Sequence, residues 1–250
     1  MLARVPALAP DRFAGAALVP GDGAIDVHAL LWAYLGHARR RGAEHRFGAE
    51  VRAIRVDGGR VAGVVTDDGE IAARWVVNAA GAWAGRIGAL AGATPIALVP
   101  HRRTIVVFDV GVDVRGWPLV HSDQDHIYFA PESGGLKLSP MDEDAMEPCD
   151  ARPDDVVIAA GFERLRELAP ALVPRTIRRK WSGLRTFAPD RVPVAGEDPR
   201  VAGFFWLAGQ GGCGIETSPA MVAIAADLLV DGRTSRFDAQ LLTPQRFADA

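Results

Sequence analysis

The protein has 250 residues, of which 49% are hydrophobic and 24% are charged, with a formal net charge of −3. This composition is that of a globular chain; it excludes a disordered protein and argues against a nucleic-acid partner. With only Cys149 and Cys213 there is no disulfide framework, and with no signal peptide or long apolar run the sequence predicts a cytoplasmic protein without a membrane segment.

The first predicted elements along the chain are a helix and a set of hairpins. Residues 1–20 show weak periodicity and are predicted to be irregular. A helix is predicted after Asp26, which would cap it, and would end at Gly42. Glycine-containing turns at 57–59 and 67–69 lie between apolar runs and predict hairpins. The run RWVVNAAG (74–81) predicts a buried parallel strand, followed by a helix that opens at Gly81.

From Pro95 the pattern becomes β-rich. Antiparallel strands are predicted at 101–110, 125–131 and 134–140, a helix at 154–172, a strand-turn-strand at 180–196, and a last buried strand at 204–209 that precedes a helix. We therefore predict a mixed α/β (α+β) fold of two domains. The first domain combines residues 20–94 with 191–235, and the second comprises residues 95–190.

The stretch FFWLAGQGGCGIETSPAM (204–221) contains G-x-G-x-x-G, made by Gly209, Gly211 and Gly214. The motif lies between a predicted strand and a predicted helix, as in a dinucleotide-binding fingerprint. That fingerprint also needs a second strand ending in an acidic residue about 20 residues later. Asp227 and Asp231 instead fall in or at the end of the helix, so the residues alone leave the purpose of this turn open.

Three other stretches each support two interpretations. VVNAAGAW (76–83) has small residues that would let a ligand approach the backbone, or that would pack a strand tightly on a helix. Arg185, within SGLRTFAPD (182–190), would bind a ligand carboxylate or form a structural ion pair. HSDQDH (121–126) would hold a metal or form a polar turn; we favour the turn and predict no metal site. Tyr128 has a core role by default.

Taken in order, VVNAAGAW, the β-rich insert, KWSGLRTFAPD and FFWLAGQGGCGIETSPAM resemble the D-amino-acid oxidase (DAO) family of FAD enzymes, nearest to its D-arginine-dehydrogenase-like members. The resemblance runs from about residue 5 to about residue 230. It implies a two-domain FAD-dependent oxidoreductase fold, with a Rossmann-like FAD domain at 20–94 and 191–235 and an antiparallel, β-rich substrate domain at 95–190. It also implies oxidation of the carbon–nitrogen bond of an amino acid or amine.

The resemblance assigns FAD contacts to residues in three stretches. Val51 matches a backbone contact with the adenine. Ala80 and Gly81, with Trp83 beside them, match the approach to the adenosine diphosphate. The flavin-side contacts are Gly209, Gln210, Gly211, Gly212, Gly214, Ile215, Glu216 and Thr217. Gly183 falls where sarcosine oxidases carry a flavin-linked cysteine, so the FAD is expected to be non-covalent.

The resemblance assigns substrate contacts to Arg185, Tyr128, Arg103 and Gly212, and no side chain to acid–base catalysis. Arg185 would grip the substrate carboxylate. Cys213 stands where the D-arginine-dehydrogenase-like members have an aromatic residue, and Glu216 stands where they have an amide. The identity of the substrate therefore stays open, with a sarcosine- or glycine-oxidase-like activity as the alternative.

Members of the family begin with a strand, a true G-x-G-x-x-G and a helix that hold the FAD pyrophosphate. None of these precedes the first matched stretch here, so an incomplete FAD domain is expected, and the 250 residues alone are expected to carry little FAD. Two further alternatives follow: a truncated, non-catalytic remnant, or half of a split enzyme whose partner chain supplies the N-terminal half.

Overall fold

The computed structural model describes residues 1–248. Four α-helices occur, α1 (Val27–Arg40), α2 (Ala84–Ala91), α3 (Asp155–Leu168) and α4 (Ser218–Asp231). The strands are β1 (Val51–Asp57), β2 (Arg60–Thr66), β3 (Gly69–Ala72), β4 (Val76–Asn78), β5 (Val99–Phe108), β6 (Val120–Ser122), β7 (Ile127–Glu132), β8 (Gly135–Ser139), β9 (Ile177–Phe187), β10 (Val194–Glu197) and β11 (Phe204–Ala208). Short 3-10 helices lie at Pro10–Arg12, Gly81–Trp83, Ala239–Leu241 and Pro244–Phe247. The predicted order of helices and strands is confirmed.

The described chain divides into two compact units. The first contains Met1–Asp22 and His101–Leu184, and the second contains Gly23–Pro100 and the residues from Arg185 onward. These bounds differ from the predicted domain bounds chiefly at the N-terminus, where the first 22 residues join the β-rich unit. The assignment of one domain to FAD and the other to substrate remains a prediction.

The first unit is built around a five-stranded sheet of order β6-β7-β8-β5-β9. Apolar side chains from the sheet, among them Phe108 and Phe129, pack with Leu165 of α3 in one buried cluster. Val5 and Leu8 are buried in the same cluster, and the Ala9 amide donates to the Leu168 carbonyl at 2.9 Å. The N-terminal segment belongs to this unit because it fills the core beside α3, although it forms no regular strand or α-helix.

The second unit contains two three-stranded sheets. In one, β1, β2 and β3 are antiparallel neighbours; in the other, β11 lies between antiparallel β10 and parallel β4. Trp206 of β11 is buried against α2, where a Cβ on Gly88 would lie 2.2 Å from the indole ring. The indole Nε1 donates to Asp198 at 2.8 Å, so the polar atom of this large side chain is satisfied inside the core.

The helix α1 begins where the sequence predicted it, because Asp26 accepts a hydrogen bond from the Ala29 amide at 2.9 Å. None of its residues is buried. Its apolar residues recur at helical spacing and are exposed, with Leu31 at 51% and Trp32 at 53%. In residues 1–248, α1 therefore presents an uncovered apolar face.

None of the helices in the described part of the chain is both long and apolar enough to cross a membrane.

Candidate functional site

Two glycine-containing turns leave the same edge of the β10-β11-β4 sheet. β4 and β11 are parallel, with Val76 opposite Phe204 and Asn78 opposite Trp206. The carboxyl ends of parallel strands meet at one edge, and in open α/β sheets ligands bind outside that edge. The turn after β4 leads to Gly81, and the turn after β11 begins at Gly209, so two predicted contact regions come together in the second unit.

The turn after β4 is held by a buried asparagine. Asn78 is 2% exposed; its Nδ2 donates to the Ala84 carbonyl at 2.8 Å, and its Oδ1 accepts from the Ala80 amide at 3.3 Å. Gly81 has a φ of +56°, and a Cβ placed on it would meet no atom within 4 Å. The sequence analysis missed Asn78; a polar residue ending an apolar strand was the available signal.

The turn after β11 requires glycine at two positions for conformational reasons. Gly209 and Gly211 have φ values of +71° and +55°, in the left-handed region. The Gly211 amide donates to the Thr186 carbonyl at 2.9 Å, and a Cβ on Gly211 would lie 2.4 Å from the ring of Phe187. The end of β9 and the glycine turn are therefore in close contact.

Beyond Gly211, several backbone donors of the turn are free. The Cys213 amide donates to the Gln210 carbonyl at 3.1 Å, and the Thr217 amide donates to the Cys213 carbonyl at 3.0 Å. Within residues 1–248, the intervening backbone N–H groups have no acceptor; these are Gly212, Gly214, Ile215 and Glu216. Successive free N–H groups ahead of a helix form a site that stabilises negative charge.

Arg185 lies against this turn. A Cβ on Gly212 would be 3.0 Å from Nη1 and 3.1 Å from Cζ of the guanidinium. The Arg185 side chain is half-buried, and in the described part of the chain it has no hydrogen bond and no acidic partner. The structural ion pair that the sequence left open is therefore not formed, and the guanidinium is available to an anion.

Cys213 and Glu216 occupy the exposed side of the same turn. The pKa of the Cys213 thiol is raised, first by its hydrogen bond to Glu216, then by burial and by the Glu216 charge; the charge of Arg185 opposes the shift. The thiol therefore stays protonated to higher pH than a free cysteine.

The remaining predicted contacts belong to other strands of the two units. Val51 opens β1, pairs with Thr66 and packs against the core of the second unit. Tyr128 is half-buried in β7 of the first unit, with its ring centroid 6.1 Å from that of His121. Arg103 is buried in β5 of the same unit, and its Nη2 lies 3.2 Å from Glu143. The roles of these residues remain predictions.

The polar segment HSDQDH bridges β6 and β7. Asp125 accepts hydrogen bonds from Arg12 at 2.5 Å and from Ser122 at 2.6 Å, and His121 lies 3.0 Å from Asp123. Its acidic groups are thus engaged within the first unit. Across residues 1–248, no cluster of three or more His, Cys, Asp or Glu side chains could hold a metal ion.

The parallel strand pair with its two turns and the separate β-rich unit make this a mixed α/β protein of two compact units. The chain belongs to the DAO family of FAD-dependent oxidoreductases, whose profile matches residues 1–228. This confirms the fold class and the family resemblance, and FAD is the cofactor of that family.

Individual relatives agree with the family. The chain is 33% identical to the glycine oxidase of Geobacillus kaustophilus over 93% of its own length and 60% of the relative's. It is 30% identical to the hydrogen cyanide synthase subunit HcnC of Pseudomonas aeruginosa over 87% and 51%, respectively. The crystal structure of L-proline dehydrogenase from P. horikoshii superposes with a TM-score of 0.86 at 27% identity, covering 98% of this chain and 66% of that one. The chain thus spans about half to two thirds of the length of these relatives.

Proposed function

We propose that the protein is an FAD-dependent oxidoreductase that acts on the carbon–nitrogen bond of an amino acid or a carboxylate-bearing amine. The observation that carries this proposal is Arg185, a half-buried guanidinium without an acidic partner in residues 1–248, held against the glycine turn at Gly212. Such a group binds a carboxylate through two parallel, charge-assisted hydrogen bonds.

The residues present fit the flavin end of FAD. Free N–H groups between Gly212 and Glu216 face no acceptor in the described chain, and open space borders Gly81 at the same sheet edge. The absence of a Cβ leaves open space at Gly81, whereas the Cβ positions of Gly211 and Gly212 are occupied by Phe187 and Arg185. At the second turn the fit therefore rests on the free N–H groups. The β9 segment, residues 177–187, contains no cysteine, which supports non-covalent FAD.

The chemistry divides between cofactor and protein. Bound FAD would supply the hydride acceptor: the amine would lose the hydride at Cα and a proton from nitrogen, and water would hydrolyse the resulting imine. The protein would orient the substrate, because Arg185 would bind its carboxylate. The free N–H groups of the turn would stabilise negative charge on the flavin ring. The family resemblance also assigns substrate contacts to Tyr128 and Arg103 of the β-rich unit, where Arg103 forms an ion pair with Glu143.

The comparisons support a small or secondary amino acid as substrate, because the relatives include a glycine oxidase and an L-proline dehydrogenase. A sarcosine- or glycine-oxidase-like activity is therefore the second candidate. Substrates of all these kinds carry the carboxylate that Arg185 would bind.

We also propose that further polypeptide, in the same protein or in a partner chain, completes the FAD site. Within residues 1–248, β4 pairs only with β11, and Val77 on it is 41% exposed. Parallel strands are normally paired and covered on both faces. The apolar face of α1 is uncovered as well, and the relatives contain additional chain.

The test is flavin reduction by a panel of amino acids, measured anaerobically. It uses the natural protein in a form, full-length or with its partner chain, that retains FAD through gel filtration, and Arg185→Ala in the same form. We expect Arg185→Ala to raise KM for carboxylate-bearing amines on the order of 30-fold, with unchanged flavin content. Arg233→Ala is the matched control, because Arg233 is exposed and has no hydrogen bond or ion pair within residues 1–248. No reduction by any carboxylate-bearing amine, or equal KM values for Arg185→Ala and the natural protein, would contradict the proposal.

A further inference from the structure

Arg191 is a non-glycine residue in a backbone conformation that favours glycine. Its φ is +60°, in the left-handed region, and the residue is exposed. A side chain at such a position costs free energy, so the conformation persists only where its surroundings hold it. The guanidinium lies over the ring of Phe187, with Cζ 4.0 Å from the ring centroid. At this distance a cation and an aromatic ring attract each other, so the strained residue is the one that stacks on Phe187.

The turn that carries Arg191 is closed by hydrogen bonds of its own backbone and its neighbours. The Arg191 amide donates to the Ala188 carbonyl at 2.9 Å. The Val192 amide donates to the Asp190 carboxylate at 3.0 Å. Arg246 donates to the same carboxylate at 2.7 Å and to the Val192 carbonyl at 2.8 Å. None of these bonds uses the Arg191 side chain, so the turn holds the Arg191 backbone while the guanidinium contacts the ring.

Phe187 in turn contacts the glycine turn after β11. A Cβ on Gly211 would lie 2.4 Å from the half-buried ring of Phe187. The backbones of Phe187 and Gln210 form an antiparallel bridge, and the Gly211 amide donates to the Thr186 carbonyl at 2.9 Å. The ring therefore occupies the space beside Gly211, immediately before the segment with free N–H groups.

We infer that Arg191 and Phe187 are positioning residues for the glycine turn. The cation holds the ring against Gly211, and the ring holds the turn in the conformation that aligns the free N–H groups between Gly212 and Glu216 on negative charge. The identity of that charge, a reduced flavin ring, rests on the proposed function, whereas the contacts belong to this chain alone. The competing interpretation is that the stack only stabilises the fold.

The experiment is hydrogen–deuterium exchange of the FAD-retaining protein, followed on peptides that cover residues 204–217. The readout is the exchange of the two bonded amides in the turn, Gly211 and Cys213. We expect Arg191→Gly and Phe187→Leu each to accelerate it about tenfold, because local opening of the turn becomes easier. Arg191→Gly also relieves the left-handed strain, which offsets the lost stacking, so the free energy of unfolding should be unchanged or higher. A purely structural stack would lower this free energy and leave the exchange unchanged.

Ser133→Gly is the matched control, because Ser133 is exposed and has a φ of +51° in the turn after β7. It relieves the same kind of strain in the first unit and should leave exchange at 209–214 unchanged. The double variant of Arg191→Gly and Phe187→Leu should exchange no faster than Phe187→Leu, since both changes act through one contact. Unchanged exchange in Arg191→Gly, equal acceleration by the control, or additive effects in the double variant overturns the inference.

The reduction potential of the bound FAD is a second readout. Misaligned N–H groups stabilise the reduced flavin less, so Arg191→Gly should lower the two-electron potential by about 15–30 mV, the equivalent of roughly a threefold to tenfold loss. The potential of Ser133→Gly should equal that of the natural protein. An unchanged potential in Arg191→Gly overturns the inference, while flavin reduction by amino acids tests the proposed function separately.

Discussion

The guanidinium of Arg185 occupies the space that a side chain on Gly212 would need: a Cβ added to Gly212 would meet Nη1 at 3.0 Å, Cζ at 3.1 Å and Nε at 3.4 Å. Glycine at this position therefore sets where the cation lies. The neighbouring Gly211 is constrained differently, because its φ is +55° and a Cβ there would meet the Phe187 ring at 2.4 Å.

The first prediction contrasts these two glycines. Gly212→Ala should displace only the end of a flexible side chain, changing the free energy of unfolding by less than about 1 kcal/mol. It should nevertheless weaken glycine binding about tenfold, since the guanidinium moves. Gly211→Ala should lower the free energy of unfolding by at least about 1–2 kcal/mol, because alanine disfavours the left-handed conformation.

Chemical denaturation measures the stabilities, and titration of the FAD-bound protein with glycine measures the affinities. A Gly212→Ala protein that binds glycine as the natural protein does would show that the contact does not position Arg185.

The second prediction concerns the Cys213 thiol. Its pKa is raised chiefly by the hydrogen bond to Glu216, and Arg185 acts in the opposite direction. Glu216→Gln should therefore lower the thiol pKa, and Arg185→Ala should raise it further. The check is the pH dependence of iodoacetamide alkylation, which follows the thiolate fraction, in a Cys149→Ser background so that only Cys213 reacts. Shifts of the same sign in both variants would rule out this arrangement of charges.

The third prediction concerns Asp198, which is 3% exposed in the second unit. Its carboxylate accepts from the Trp206 indole at 2.8 Å and from the backbone amides of Thr94, Arg200 and Val201 at 2.9, 2.9 and 3.1 Å. Asp198→Asn should lower the free energy of unfolding by about 2–3 kcal/mol, because an amide NH₂ group would face donors that it cannot accept from.

Chemical denaturation of Asp198→Asn beside the exposed control Asp231→Asn provides the test. Equal stabilities of the two variants would mean that the buried network contributes nothing.

The fourth prediction is a pH dependence of stability. The pKa of Asp190 is lowered, first by its hydrogen bond to Arg246, which lies at 2.7 Å, and then by the Val192 amide and the Arg246 charge, against burial. A carboxyl group with a depressed pKa in the folded state stabilises the fold above its unfolded pKa, near 4, and this contribution is lost as pH falls through the folded value.

Asp190→Asn should therefore be less stable than the natural protein at pH 7, by less than about 1 kcal/mol because the pair is partly exposed. The difference should shrink as the pH falls below about 4 and the carboxyl group becomes protonated. Thermal unfolding at pH 7 and at a pH below about 4 measures it, and a difference that is the same at both would exclude the ion pair as its source.

Local signals in the sequence determined most of the secondary structure. Asp26 and Asp154 cap α1 and α3 as short polar residues do before apolar helical periodicity. Glycine-rich turns set the hairpin at 57–59, where Gly58 and Gly59 both have positive φ. The residues alone placed a glycine-rich turn at 209–214 between a strand and a helix, and only the family resemblance gave that turn a role.

Only the tertiary structure decided how these parts meet. The parallel pairing of β4 with β11 brings two turns from distant parts of the sequence to one edge, and no local pattern encodes that register. Whether Arg185 forms a structural ion pair depends on which acidic side chains lie near it in space, and the sequence left that question open. Val5 and Leu8 joined the β-rich core without any periodic pattern, since burial there is decided by the cavity that the sheet and α3 leave rather than by the conformation of the segment itself.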